Sequence, residues 1–227
     1  MRHLAERLLV ALPAYNEGDH LAKCLNQLSA IINVDHILVV SDGSTDDTAD
    51  IARTLGVTVI EHKINRGKGE AIRSAISFAL THKFQWIVFL DADGQHPLDA
   101  LPLFIELINN GDVDFILANR QNRSKVMPVH RQLSNGITSL IISLLIGQRI
   151  WDSQCGYRAV ALNVIKSVDF HERGFQLESE MLIKCGKQGA TFAHVPIQTI
   201  YNNASSSIHP FRDTINFINL VFKSLWW

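Results

Sequence analysis

The sequence predicts an α/β fold, a mainly parallel central sheet flanked by helices on both faces. Two observations carry that prediction. Short apolar, strand-like runs alternate with segments of helical period through the first half of the chain. Three of those runs end in polar stretches, Pro13-Ala14-Tyr15-Asn16-Glu17, Ser41-Asp42-Gly43-Ser44 and Asp91-Ala92-Asp93-Gly94-Gln95, and ligands of open parallel sheets bind at the carboxyl ends of strands.

The elements follow in order. Arg7–Leu12 is a short apolar strand, and Asp19–Ile32 has helical spacing. His36–Val40 is a second apolar run. Ser44 is read as the cap of a helix that runs through Leu55, with Asp47 three residues on as its box partner. Val57–Glu61 is short and β-branched, Gly67–His82 is helical, and Trp86–Leu90 is a strand of buried type. Leu98–Asn109 is a helix that ends near Gly111 and precedes the strand Val113–Ala118. From about Arg120 the pattern is more irregular. It holds the apolar helix Leu133–Ile146, a turn at Cys155-Gly156-Tyr157, a helix near Gln176–Gly186, and a long helical pattern after Pro210.

At 227 residues the chain is read as one domain, residues 1–227. Within it, residues 1–119 form a ligand-binding half and residues 120–227 a second half. The formal net charge of -1 gives no basic excess for nucleic acid. Cys24, Cys155 and Cys185 are odd in number and far apart, which argues against a disulfide framework or a zinc site and for a reducing compartment. Pro13 and Asn16 interrupt the first apolar run, so it does not read as a signal peptide. The longest uncharged apolar run, Ile137 to Ile146, is ten residues, roughly half of what a spanning helix needs.

Asp91 and Asp93 follow a strand at i and i+2, so both carboxylates face one way and can share a cation. Oxygen ligands suit Mg²⁺ or Mn²⁺, which bind a few carboxylates together with substrate phosphates, and Gln95 is placed to add a third oxygen. An isolated pair of this kind is more simply an acidic turn; two further polar strand ends shift the balance to a site. Asp42 is read as an acceptor for base or ribose donors rather than a plain cap. Asn65-Arg66-Gly67-Lys68-Gly69 before a helix points to phosphate binding at a helix N-terminus, although a tight turn with a solvated lysine explains it equally well. It is not a Walker A loop, because no Ser or Thr follows Lys68.

These motifs, with His96-Pro97 closing the last, occur in order and at a spacing that resembles the family 2 glycosyltransferases of GT-A fold. The resemblance is greatest to the polyprenyl- or dolichol-phosphate mannose synthase branch, and it covers about residues 8 to 215. It implies the GT-A nucleotide-diphospho-sugar transferase fold, with an irregular acceptor half at the C-terminus. It implies that Pro13, Ala14, Tyr15, Glu17, Asp42, Gly43 and Lys68 hold the donor, and that Asp91, Asp93 and Gln95 bind Mg²⁺ or Mn²⁺ and through it the diphosphate. Arg120 and Arg131 match arginines near the acceptor phosphate. Asp152-Ser153-Gln154-Cys155-Gly156-Tyr157-Arg158 resembles the segment that closes the sugar pocket, with Gln154 and Arg158 as substrate contacts. Glu178 and Glu180 match the acidic start of a helix. The chain departs from the branch after the last strand, where Ser207, His209 and Arg212 stand in for an Arg and a Gly-x-Ser-Lys cluster.

The implied activity is inverting transfer of a hexose from a UDP- or GDP-sugar to a polyprenyl phosphate. A phosphate acceptor is largely ionised at neutral pH and needs cations more than a base; Arg120 and Arg131 suit it. A hydroxyl acceptor in glycan assembly is the alternative, and would need Asp152, Glu178 or Glu180 as base. A non-catalytic nucleotide-sugar-binding protein is the third reading. Phe211, Ile215, Ile218, Phe222 and Leu225 recur at helical spacing before Trp226 and Trp227. With Leu133–Ile146 they provide a surface for peripheral contact with the inner face of the membrane, or for packing within the protein or against a partner subunit. The expected location is cytoplasmic, and the oligomeric state is open.

Overall fold

The computed structural model describes residues 7–120, 129–172, 174, 176–198 and 210–227, apart from the side chains of His130, Pro210 and Phe211. Its centre is a seven-stranded sheet: β1 (Leu8–Ala14), β2 (Ile37–Asp42), β3 (Thr58–His62), β4 (Trp86–Phe89), β5 (Phe115–Arg120), β6 (Arg158–Ala161) and β7 (Phe192–Ile197). The strand order is β3-β2-β1-β4-β6-β5-β7. β6 pairs antiparallel with both β4 and β5, and the remaining pairings are parallel.

The helices are α1 (Gly18–Ser29), α2 (Thr48–Thr54), α3 (Lys68–Thr81), α4 (Leu101–Asn110), α5 (Val129–Ile146), α6 (Leu162–Ile165), α7 (Gln176–Lys187) and α8 (Pro210–Ser224). They cover both faces, and the period of two in β1 shows how. Leu8, Val10 and Leu12 join the core under α1 and α4, whereas Leu9 and Ala11 join the core under α3 and α7. A strand buried on both faces has to be apolar throughout, which is why these runs do not alternate with polar residues.

Two expectations are corrected. The second half is more regular than its pattern indicates, because β6 and β7 complete the sheet. Four residues of β6, one of them a buried arginine, leave too little periodicity to read. The expected capping box is also absent. α2 begins at Thr48, and Asp47 at its N-cap position makes no side-chain capping bond. The Ser44 hydroxyl accepts instead from the Asn16 N–H at 3.2 Å and lies 3.0 Å from the Ser41 hydroxyl. Asp46 takes the capping role, accepting from the Thr48 N–H at 3.0 Å.

Candidate active site

The carboxyl ends of β1, β2 and β4 meet at one end of the sheet, and hydrogen bonds between their loops fix their relative positions. Asn16, in the left-handed region at φ 55°, turns its side-chain oxygen to the Thr45 N–H at 2.8 Å. The Glu17 N–H donates to the Thr48 hydroxyl at 2.9 Å, and the Gly18 N–H donates to Asp46 at 3.0 Å. Tyr15, expected to face the nucleoside, is half exposed at this rim. Pro13 and Ala14 form the last two residues of β1.

Asp42 anchors the next layer. Its carboxylate accepts from the Arg66 N–H at 3.0 Å and the Gly67 N–H at 2.7 Å, and lies 2.6 Å from Nδ1 of His62. With only 3% of its surface exposed, Asp42 clamps the loop before α3 instead of presenting an open acceptor to a nucleoside. Gly43 is required here. It sits at φ 71°, and a Cβ would come within 2.3 Å of the Asn65 N–H nitrogen.

The clamp aims α3 at the acid pair. Lys68, its first residue, places Nζ 2.6 Å from Oδ1 of Asp91 and 3.4 Å from Oε1 of Glu178. On the other side of Asp91, Nε2 of His96 lies 3.6 Å from Oδ2. Burial favours the neutral acid, yet the Lys68 ammonium and His96 together hold the Asp91 carboxyl well below the usual carboxylate range. Burial likewise disfavours the charged amine of Lys68, and the charges of Asp91 and Glu178 reverse that and raise it. Gly156 lets the loop before β6 close over the pair, since a Cβ there would fall 2.0 Å from Oδ2 of Asp91. A cavity of about 470 Å³ opens beside Asp91, lined among others by His20, Lys23, Gln27, His96 and Leu98, a size in the range of small-molecule sites.

The neighbouring acids Asp93 and Glu17 are shifted the other way, upward. Asp93 is raised by burial and then by the charge of Asp91, even though it accepts from the Gln95 N–H at 2.9 Å. Glu17 is pushed up to about 7 by burial and by the charges of Asp93, Asp91 and Asp46. Carboxylates crowded in this way suit a divalent cation, which would relieve their repulsion, and oxygen donors match Mg²⁺ or Mn²⁺. Among the described residues no group of three or more His, Cys, Asp or Glu is placed to hold a metal ion.

The acids of the second half are placed differently. Asp152 is fully buried and receives two bonds from Arg120, at 2.7 Å from Nε and 2.9 Å from Nη2, and one from the Asn135 side chain at 2.7 Å. Glu180, also fully buried, accepts from the backbone N–H groups of His171 and Glu172 and pairs with Lys184 at 2.8 Å. Both are thus held by cations and N–H or amide donors of the second half. Glu178 does reach the acid pair, through Lys68. Its Oε1 also lies 3.2 Å from Nη2 of Arg158. Arg158 is buried within the sheet and donates to the Cys155 carbonyl at 2.6 Å. It shapes the loop rather than facing an open pocket.

The remaining candidates spread outward. Gln154 is exposed and donates to the Thr138 hydroxyl at 3.3 Å. Arg131 is exposed on the first turn of α5. Arg212 is exposed at the start of α8, with Nε 3.8 Å from Asp213. Ser207 and His209 lie outside the described residues. The motif reading missed His62, His96 and Gly156 as working parts of the site. His96 stands in the quoted stretch after Asp93, while nothing in sequence spacing ties His62 to Asp42 or Gly156 to Asp91. The three cysteines are buried and free, their thiols pushed up to about 12, chiefly by burial.

The glycosyl transferase family 2 model matches residues 9–172. The UDP-N-acetylglucosamine–dolichyl-phosphate N-acetylglucosaminyltransferase of Methanococcus voltae is 31% identical over 225 residues, covering 89% of each chain. The undecaprenyl-phosphate mannosyltransferase of Micrococcus luteus is 26% identical, covering 88% of this chain and 86% of its own. Among solved structures, glucosyl-3-phosphoglycerate synthase from Mycobacterium tuberculosis, in complex with Mn²⁺, UDP and glucosyl-3-phosphoglycerate, is similar with a TM-score of 0.68 at 21% identity, covering 96% of this chain and 78% of that one. The sheet is that of the GT-A fold expected from the motifs, and the chain belongs to glycosyl transferase family 2.

Proposed function

We propose that this glycosyltransferase moves a hexose from a UDP- or GDP-sugar to a polyprenyl phosphate with inversion at the anomeric carbon. One observation carries the choice of acceptor. Each of the three carboxylates read as a base for a hydroxyl acceptor is already engaged: Asp152 by Arg120, Glu180 by Lys184 and two N–H groups, and Glu178 by Lys68 and Arg158. An acceptor that arrives ionised needs none of them.

In the reaction, an acceptor phosphate oxygen attacks the anomeric carbon, and the bond from that carbon to the diphosphate breaks. The electron pair leaves with the nucleoside diphosphate. A Mg²⁺ or Mn²⁺ ion held by Asp91 and Asp93 would supply positive charge where the diphosphate departs. Lys68 and the N-terminus of α3 lie beside the same position. Arg120, its guanidinium oriented by Asp152, and Arg131 at the start of α5 would position the acceptor phosphate.

The lipid part of the acceptor finds support in two helices. Val129, Leu133, Ile137, Leu140 and Leu144 form an exposed apolar stripe along α5, and Ile215, Ile218, Phe222 and Leu225 form another along α8, followed by Trp226. The stripe expected from sequence also includes Phe211, whose side chain lies outside those described; Ile215, Ile218 and Phe222 on α8 and Leu225 just past its end are exposed, while Leu220 is buried. Among the described residues no helix is long and apolar enough to cross a membrane, so these faces would lie on a bilayer. The names of the two relatives, both transferases to lipid phosphates, agree.

The test is nucleotide release from a panel of UDP- and GDP-sugars with Mn²⁺, in the presence of a short polyprenyl phosphate, the matching polyprenol, or a free sugar. Release stimulated by the phosphate alone is expected. Stimulation by the polyprenol or the sugar but not by the phosphate would overturn the reading.

A further inference from the structure

Lys68 sits between two acids that compete for it. From Nζ, Asp91 is at 2.6 Å and Glu178 at 3.4 Å. Behind Glu178 stands Arg158, so charges alternate Arg158, Glu178, Lys68, Asp91 from β6 to the end of β4. The Glu178 oxygen facing both cations is buried and makes no hydrogen bond, which leaves it able to accept one more. The backbone at the start of α3 is held, because Asp42 accepts from the neighbouring Gly67 N–H. Rotation of the Lys68 side chain that shifts its ammonium by less than about an ångström would bring it to charge-assisted hydrogen-bond length on Glu178.

We propose that Lys68 is a resident counter-cation, a positioning residue that occupies Asp91 in the donor-free protein and passes to Glu178 when a divalent ion enters with the nucleotide. This rests on the proposed metal-assisted donor chemistry. A divalent ion arriving alone must evict an ammonium from Asp91 and then sit beside it. A diphosphate arriving with the ion brings further negative charge against both cations and favours the transfer. Metal and nucleotide thus bind interdependently, and the chain excludes a bare metal ion from Asp91.

The experiment titrates Mn²⁺ alone into the intact chain, by calorimetry or by the paramagnetic resonance of free Mn²⁺. It is run on the native protein, Lys68→Met, Glu178→Gln and, as a charge control, Lys23→Met in the cavity wall beside Asp91. Lys68→Met is expected to gain about tenfold in affinity for Mn²⁺ alone, within the usual span of coupling between sites, and Lys23→Met to gain little. Glu178→Gln removes the second berth, so it is expected to lose affinity for Mn²⁺ with nucleotide while Mn²⁺ alone stays as weak as in the native chain. Glu178→Gln carries the test if Lys68→Met fails to fold. Unchanged Mn²⁺ affinity in Lys68→Met, or an equal gain in Lys23→Met, would overturn the proposal, as would Glu178→Gln binding Mn²⁺ and nucleotide together as tightly as the native chain. A parallel titration with Mn²⁺ plus UDP, and separately GDP, reads the underlying function: if neither nucleotide binds any variant, the donor assignment fails independently of the metal-only result.

Discussion

The molecule holds two groups of buried or half-buried carboxylates that have been treated in opposite ways. Asp93 and Glu17, beyond the ends of β4 and β1, are raised by burial and by neighbouring carboxylates, whereas Asp91 beside them is held down by Lys68 and His96. Asp152, Glu178 and Glu180, in the second half, each sit against at least one cation. Folding alone would favour the second arrangement everywhere, since unrelieved charge costs stability. The first arrangement makes sense where a ligand supplies what the chain withholds, so electrostatic discomfort separates the place where something binds from the frame that holds it.

The sharpest test exchanges the two groups. Asp93→Asn should cost activity by about 10³-fold, comparable to loss of a key electrostatic group, with the urea midpoint little changed, because burial and the charge of Asp91 already oppose the charge it removes. Asp152→Ala should do the reverse to the frame. It strands Arg120 next to a buried hole and should cost about 3–5 kcal/mol in urea unfolding. A large loss of stability in Asp93→Asn, or none in Asp152→Ala, would collapse the distinction between the groups.

Gly156→Ala tests the contact between the halves. The added methyl would displace the Asp91 carboxylate, and a displacement on that scale should lower the rate about 10²-fold. The far-ultraviolet circular dichroism should be retained.

The pH dependence is smaller and has a definite sign. Glu17 has an ordinary value of 4.5 in the unfolded chain and about 7 when folded. The folded state therefore binds the extra proton between those values, and its contribution to stability is lost as pH rises from about 4.5 through about 7. Glu17→Gln should flatten that part of the melting-temperature profile and raise the melting temperature above pH 7. A steeper profile in the variant would reverse the assignment.

The smallest effect on folding is expected at the apolar stripes. Leu144→Ser and Phe222→Ser touch exposed positions and should change stability by no more than about 0.5 kcal/mol, while reducing flotation with anionic liposomes. Full flotation of the double variant would remove the case for these faces.

The sequence made the first half of this architecture legible, because each strand buried on both faces is a plain apolar run and each loop carries its chemistry in a few adjacent residues. Asp91 and Asp93 lie beyond the end of β4, where the chain turns, so the strand period does not set the relation of their carboxylates. What could not be read was how charge is balanced across distance. The partners of Asp42 come from residues 62, 66 and 67, and those of Asp152 from residues 120 and 135. Nothing local distinguishes a carboxylate held by such partners from one awaiting a ligand. β6 escaped notice for a related reason, since Arg158 at its start is buried by partners that only the assembled loop provides.

The reversed direction of β6 has its own consequence. A strand that runs against its neighbours begins where they finish, so the stretch leading into it reaches the reactive end of the sheet without any crossover. The chain from residue 147 to residue 157 therefore walls that end of the sheet, and it is set into the core by Ile150, Asp152, Cys155 and Tyr157, all buried. It meets the β4 side through Gly156 against Asp91 and through Tyr157, which lies 5.7 Å from the His96 ring and stacks on Phe104.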